Sequence, residues 1–215
     1  MCGRFALSAE TDELIREYVA QGGRPQDWRP SYSIAPTDRA PIVRRHDEAR
    51  ELVLAGWDIP MPAAAHGRPG INARIEKLGG GWWAPSFRER RALVPMTGYY
   101  EWTGTKSPKT AHFIHGDGLL TAAGLWRDVD GEPRFAVITR EARDASGEVH
   151  DRMPAFLPAE AWDDWLTGPG DAGLQQMLTD VSDTVASTLH THIVDSKVNS
   201  VQRVDPSDPS LIEPT

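Results

Sequence analysis

The chain has 215 residues, 40% hydrophobic and 25% charged, a balance that excludes a mainly disordered polymer. A chain this long buries roughly 70% of its unfolded surface and needs neither a disulfide nor a structural metal to fold. Its formal net charge of −8 argues against non-specific coating of nucleic acid, although residues 1–115 carry 16 Lys+Arg against 13 Asp+Glu while residues 116–215 carry 7 against 18. The acidity sits in the second half, so a local basic groove built from the first half stays open. Cys2 is the only cysteine, which excludes an internal disulfide and a cysteine-rich zinc site. No apolar run reaches the ~18 residues of a membrane span and the N-terminus lacks a signal pattern, so the expected location is cytoplasmic.

Taken in chain order, a first helix is expected from about Ser8 to Gln21, with Ser8 as N-cap. Leu14, Ile15, Tyr18 and Val19 lie on one face of it, and Gly22-Gly23 is its stop. Arg24 to Pro41 reads as ordered loop, punctuated by Trp28, Tyr32 and Ile34. Short strand patterns follow at Ile42–Arg45, Glu51–Trp57, Ala92–Pro95, His112–His115, Leu119–Trp126 and Arg134–Thr139, separated by Gly, Pro and Asp turn signals. Helical patches are expected at Pro85–Arg91, at Pro158–Leu166 before Gly168, and at Ala172–Leu178. Strands that succeed one another without regular intervening helices argue against a doubly wound parallel sheet. The expected class is α+β, with mainly antiparallel strands forming a barrel-like sheet core and a few peripheral helices. One domain is expected over 1–215, ending in a surface tail from Asp205 to Thr215.

Cys2 is the most informative residue. Removal of Met1 would expose a cysteine with a free α-amine, a 1,2-aminothiol that condenses with an aldehyde to an imine and closes a thiazolidine. An α-amine near ~7.7–8 and a thiol near ~8.5 are both partly available at neutral pH. Three other segments bring polar chemistry together. Asn72 and Arg74 fall on one side of an alternating segment, Gly70 to Glu76. Glu101 stands among aromatics in Tyr99-Tyr100-Glu101-Trp102, where desolvation raises a carboxyl toward a useful acid/base value. His150 and Arg152 precede the structure-breaking Pro154. Taken singly, each motif is better explained by a bland role: Asn72 in a backbone turn, Glu101 as a solvated strand residue, His150 as a cap of the preceding helix.

In combination the chain resembles the SOS response-associated peptidase (SRAP) family, which crosslinks covalently to abasic sites in single-stranded DNA. The resemblance runs through Met1-Cys2-Gly3-Arg4-Phe5, Tyr32-Ser33-Ile34-Ala35-Pro36, Ile71-Asn72-Ala73-Arg74 and Arg91-Ala92-Leu93-Val94-Pro95. It continues through Gly98-Tyr99-Tyr100-Glu101-Trp102, Ala123-Gly124-Leu125-Trp126, His150-Asp151-Arg152-Met153-Pro154 and Val198-Asn199. It implies that Met1 is removed, that the Cys2 amine attacks the ring-opened abasic aldehyde, and that the Cys2 thiol closes the ring. Asn72 would orient the attack, Glu101 would hold the amine proton and assist removal of Met1, and His150 would act as general acid/base on the sugar. Arg74 and Arg152, and more weakly Arg4, would pair with flanking phosphates. Trp102 is the expected stacking platform. The imine also implies a weak lyase activity by β-elimination.

The sequence departs from the family pattern in two places. Ser33 stands where an asparagine is usual, and Pro62-Ala63-Ala64-Ala65-His66 replaces a stretch that often carries tryptophan, the Trp pair falling later at Trp82-Trp83. Two other functions compete. One is a thiol hydrolase with Cys2 as nucleophile, His150 as base and Asn72 or Glu101 as orienter. The other is a non-covalent single-stranded DNA module, which would survive Cys2→Ala. No metal is expected, because His112 and His115 should face opposite ways and His190 and His192 lack a carboxylate or cysteine cluster. No nucleotide cofactor is expected, since Gly79-Gly80-Gly81 lacks the lysine of a phosphate loop. The expected partner is single-stranded DNA containing abasic sites, with no membrane, no obligate protein partner and a monomeric state.

Overall fold

A computed structural model describes residues 2–21, 23, 25–62, 68–105 and 107–215. The strands are β1 (Phe5–Leu7), β2 (Ser31–Ile34), β3 (Arg39–His46), β4 (Ala49–Gly56), β5 (Asn72–Arg74), β6 (Arg91–Thr103), β7 (Thr110–Val129), β8 (Glu132–Glu141), β9 (Arg152–Pro154) and β10 (His190–Val194). The helices are α1 (Thr11–Glu17), α2 (Ala84–Glu89), α3 (Asp144–Gly147), α4 (Trp162–Thr167) and α5 (Ala172–Ala186). The fold is α+β, as expected. Its ten strands form one sheet in the order β10-β7-β8-β4-β3-β6-β1-β2, and an additional β6–β7 pairing closes β6, β7, β8, β4 and β3 into a ring. Pairing is antiparallel except where β4 and β5 run parallel to β8.

Turn chemistry sets the registers of the two tight hairpins. Asp130 and Gly131 both take positive φ between Val129 and Glu132, the Asp-Gly pattern of a turn whose twist matches the strands it joins. Asp47 does the same between β3 and β4. β6 and β7 are far longer than the short runs expected. The two runs His112–His115 and Leu119–Trp126 are one 20-residue strand, interrupted only by a register shift opposite Met96/Gly98. Gly98 is required at that shift. A Cβ there would lie 2.5 Å from the Phe113 ring and 2.6 Å from the Ile114 carbonyl.

The expected first helix is shorter than its pattern. β1 precedes it, α1 starts at Thr11, and Val19 adopts φ 49° and is exposed, so only Leu14 and Tyr18 of the proposed face are fully buried. Ser8 caps nothing; its backbone N–H donates to Thr97 Oγ1 at 2.8 Å, tying the end of β1 to β6. Gly22, half of the proposed stop, lies outside the described residues. Arg24–Pro41 contains β2 and the start of β3 rather than loop alone. α4 ends at Gly168 as expected. α5 runs well past Leu178: its buried face continues through Ser182 and Ala186, and Ser182 Oγ accepts the Phe156 N–H in the core. The tail from Asp205 packs along β10 through a Val194–Pro214 bridge, and it buries Leu211.

The core is aromatic and centres on the ring of strands. Phe5 meets Trp57 edge-on at 5.0 Å, and Trp57 stacks in turn over Phe135. Arg91, at the start of β6, is buried and donates to the carbonyls of Phe87, Arg88, Trp165, Leu166 and Gly168, so one guanidinium satisfies the ends of α2 and α4. Among the described residues no helix is long and apolar enough to cross a membrane. Phe5→Ala removes the ring that fixes β1 to the core. It is expected to cost roughly 3–5 kcal/mol and to lower Tm by about 6–20 °C in a calorimetric scan.

Candidate active site

The N-terminal segment is held in place by strand pairing. β1 pairs with β2 on one side and with β6 on the other, at Phe5↔Tyr99 and Ala6↔Gly98. The ladder extends toward the N-terminus, where the Tyr100 N–H donates to the Arg4 carbonyl at 2.9 Å. Cys2 is thereby carried over the far half of β6 and is fully buried. Its thiol makes one weak contact, to the Arg4 carbonyl at 3.8 Å.

Asn72, at the start of β5, reaches across to this segment. Its Nδ2 donates to the Cys2 carbonyl at 2.7 Å, while its Oδ1 is buried without a hydrogen-bond partner among the described residues. β5 is placed there by parallel pairing with β8, Asn72 lying opposite Val137. Period-two alternation in β6 turns Tyr99 and Glu101 to the same face, and both are buried. Burial pushes the Glu101 carboxyl above its ordinary range, and the charge of His150 opposes that shift. The Cys2 thiol is pushed well up by its own burial and by the Glu101 carboxylate, so it is held protonated at neutral pH.

His150 stands in the turn after α3, where its backbone N–H donates to the Ser146 carbonyl at 3.0 Å. Its Nδ1 lies 2.9 Å from the Arg152 N–H and 2.8 Å from Asp151 Oδ1. One nitrogen cannot serve both: without a hydrogen it accepts from the Arg152 N–H, and carrying one it donates to Asp151. The four proposed catalytic residues, drawn from the N-terminus, β5, β6 and the α3–β9 turn, meet in one place.

Tyr99 and Ser146 join them, and sequence reasoning had not assigned either a place in the site. The Tyr99 hydroxyl donates to Ser146 Oγ at 2.8 Å, which ties β6 to the short helix that carries His150. Burial, with the charges of Cys2 and Glu101, raises Tyr99 well above its usual value. No sequence signal marks Ser146, because the partnership exists only across the fold.

The proposed DNA contacts divide into two kinds. Arg74 is exposed, and it borders with His150 and Arg152 a cleft of about 700 Å³. Arg152 is already engaged there, donating to both carboxylate oxygens of Glu76, at 2.7 and 3.2 Å, and to the Thr139 carbonyl. Arg4 is buried, and its Nη1 donates to Ser33 Oγ and to the Val198 carbonyl. Ser33, one of the two departures from the family pattern, thus fills its position with a direct bond to Arg4. Trp102 is half-buried 5.8 Å from the Arg4 guanidinium, with its indole N–H donated to Asn199 Oδ1. Arg4, Trp102, Lys109 and Asn199 line a second cleft of about 400 Å³. Met1 and the Ala63–His66 part of the other departure lie outside the described residues.

His112 bonds Thr103 within the sheet, whereas His115 packs against His190 and His192 on the other face. No group of three or more His, Cys, Asp or Glu side chains able to hold a metal ion occurs among the described residues.

Fold and site together define a protein that buries Cys2, near its N-terminus, beside an amide, a carboxyl and an imidazole, on a sheet whose strands close into a ring. The chain belongs to the SOS response associated peptidase (SRAP) family, whose sequence profile matches residues 1–201. It is 30% identical to abasic site processing protein YoqW of Bacillus subtilis, with 99% of each chain covered. It is 28% identical to abasic site processing protein YedK of Escherichia coli, over 77% of this chain and 79% of that one. A crystal structure of a Bacteroides thetaiotaomicron protein shares the fold, with a TM-score of 0.80 at 20% identity and full coverage of both chains.

A carboxyl raised by burial adds stability that is complete below its unfolded value and is lost as pH rises through its folded value. Glu101→Gln removes that loss. The variant is expected to match the parent Tm near pH 4 and to exceed it at pH 8, each kcal/mol being worth ~2–4 °C at this size. Thermal scans across that range check the prediction, and a pH-independent difference would contradict a buried carboxyl.

Proposed function

We propose that this chain is an abasic-site sensor that captures the lesion in single-stranded DNA as a covalent adduct of Cys2. The observation that carries the reading is the Asn72 Nδ2 bond to the Cys2 carbonyl, made within reach of the Glu101 and His150 charges. The names of YoqW and YedK as abasic site processing proteins support it.

Hydrolysis of the Met1–Cys2 peptide bond, assisted by Glu101, frees the Cys2 amine. Asn72 holds the adjoining carbonyl and offers Oδ1 to an amine N–H, which aims the nitrogen lone pair. The amine then adds to the aldehyde carbon of the ring-opened deoxyribose, and Glu101 relays one N–H proton to the new oxygen, giving the carbinolamine. His150 protonates the carbinolamine hydroxyl, which leaves as water while the second N–H proton returns to the imidazole, giving the imine. Finally Cys2 Sγ adds to the imine carbon while the thiol proton passes to nitrogen, closing the thiazolidine with no redox change. Diversion of the imine to β-elimination accounts for a weak lyase activity.

Burial suits this order of events. A thiol held protonated is a poor first nucleophile, but it carries the proton that the imine nitrogen needs in the last step. The same fact weighs against a thiol hydrolase, which requires a thiolate activated by a base, whereas among the described residues Sγ bonds only a carbonyl. Arg74 and Arg152 would bind the flanking phosphates, with phosphate competing against Glu76 for Arg152. Arg4 would support Trp102 as a stacking surface. In this reading the chain acts in the cytoplasm as a monomeric single domain, without metal, cofactor or obligate protein partner.

Intact-mass spectrometry tests the proposal before and after incubation with a single-stranded oligonucleotide bearing one abasic residue. The expected result is loss of one methionine mass, then a denaturation-resistant adduct of protein plus oligonucleotide, less water. Cys2→Ala should give none, and Glu101→Gln or His150→Gln should slow adduct formation by about 10²-fold or more. A processed protein that forms no adduct but cleaves peptides would overturn the proposal in favour of the hydrolase.

A further inference from the structure

The tryptophan displaced from the usual position and the arginine run before β6 remain outside the site, and they come together elsewhere. Trp82, in the turn before α2, is 37% exposed, unusual for so large a ring. The Arg127 guanidinium lies 4.0 Å from its centroid, held by bonds to Ser86 Oγ and to the Trp82 carbonyl. Trp126, the preceding residue of β7 and so turned to the other face of the strand, has the guanidinium of Arg44 at 4.4 Å and that of Arg90 at 5.9 Å. Arg44 is neutralised by Glu51. Arg88, Arg90 and Arg127 have no carboxylate partner among the described residues.

Two like charges left close together without a counter-charge are unfavourable: partial burial depresses the Arg127 guanidinium, and the charge of Arg90 depresses it further. In a chain of net charge −8, acidic side chains are abundant enough to neutralise such a cluster. Its persistence beside two tryptophans matches the composition of single-stranded nucleic-acid surfaces, where guanidiniums meet phosphates and indoles meet bases. We propose that Arg88, Arg90 and Arg127, with Trp82 and Trp126, form a second binding surface for the phosphodiester backbone of the DNA strand that carries the lesion. This rests on the proposed function for the identity of the strand.

The surface lies at the opposite end of 13-residue β6 from Glu101, no more than roughly 35 Å away at ~3.3 Å per residue. At ~3.4 Å per stacked nucleotide, a strand seated in the active site reaches it after about ten nucleotides. The strand would be anchored twice. Lesion capture on short fragments needs only the catalytic end, whereas retention on long strands needs both.

The test uses the Arg88→Glu/Arg90→Glu double variant, because neither side chain donates a hydrogen bond within the fold. Fluorescence anisotropy reads the binding of an undamaged 30-nucleotide single strand across a salt series. Affinity is expected to fall roughly three- to tenfold, and the steepness of log K against log salt by about 1.4, at ~0.7 per lost phosphate contact. Adduct formation with a six-nucleotide strand bearing a central abasic residue should keep its parental rate, which also verifies the fold. Unchanged affinity and salt slope on the long strand would overturn the proposal. Equal displacement of the long strand by an acidic peptide of the same charge would overturn it in favour of a protein partner. If the parent protein forms no adduct with any strand, the proposed function fails, while the anisotropy series still decides the surface.

Discussion

Everything the site does depends on β1 being a strand inside the sheet. Three residues, Phe5–Leu7, are paired on both edges and buried, and the Phe5 ring is locked against Trp57. A chain terminus is normally among the least ordered parts of a domain. Here the sheet hydrogen bonds and one aromatic contact overcome that tendency, so a residue three positions upstream inherits the precision of the sheet. Asn72 then fixes the last rotational freedom by bonding the Cys2 carbonyl. In the proposed capture, an aminothiol on a frayed tail would react with any aldehyde, whereas one held in a buried cleft would react only with an aldehyde that can be brought to it.

Burial has a second consequence, electrostatic rather than geometric. The same low-polarity surroundings raise Cys2, Tyr99 and Glu101 together, and the Glu101 charge makes Cys2 and Tyr99 harder still to ionise. His150, at the solvent-facing edge, is the member whose Nδ1 can exchange one partner for another, between Arg152 and Asp151.

The cationic groups show why a count of arginines says little about binding. Arg91 belongs to a recognisable sequence block, yet its guanidinium is spent on five backbone carbonyls and supports the fold. Arg4 is buried behind Trp102, and Arg152 is forked onto Glu76. Only partners distinguish these from exposed Arg74, or from the Arg90–Arg127 cluster at the far end of β6. The uneven charge of the two halves of the chain pointed to a local basic surface without giving its location.

By itself the sequence determined the class of fold, the family and the identity of the four residues that meet at the N-terminus. Those rest on local signals: alternation, turn residues and motif blocks whose chemistry can be read one residue at a time. Element lengths were decided by tertiary structure. β7 runs through Gly116-Asp117-Gly118 because the pairings on either side of them, Gly98↔His115 and Met96↔Leu120, hold the strand, and α1 stops before Val19, with Leu14 and Tyr18 buried and Val19 exposed. Tertiary structure alone also decided which arginines remain available to a ligand, that Tyr99 and Ser146 brace the His150 turn, and that Cys2 is buried deeply enough to keep its thiol protonated. The physical reason is common to all of these: hydrogen-bond partners, desolvation and packing are properties of pairs of residues far apart in the chain, and no single position carries them.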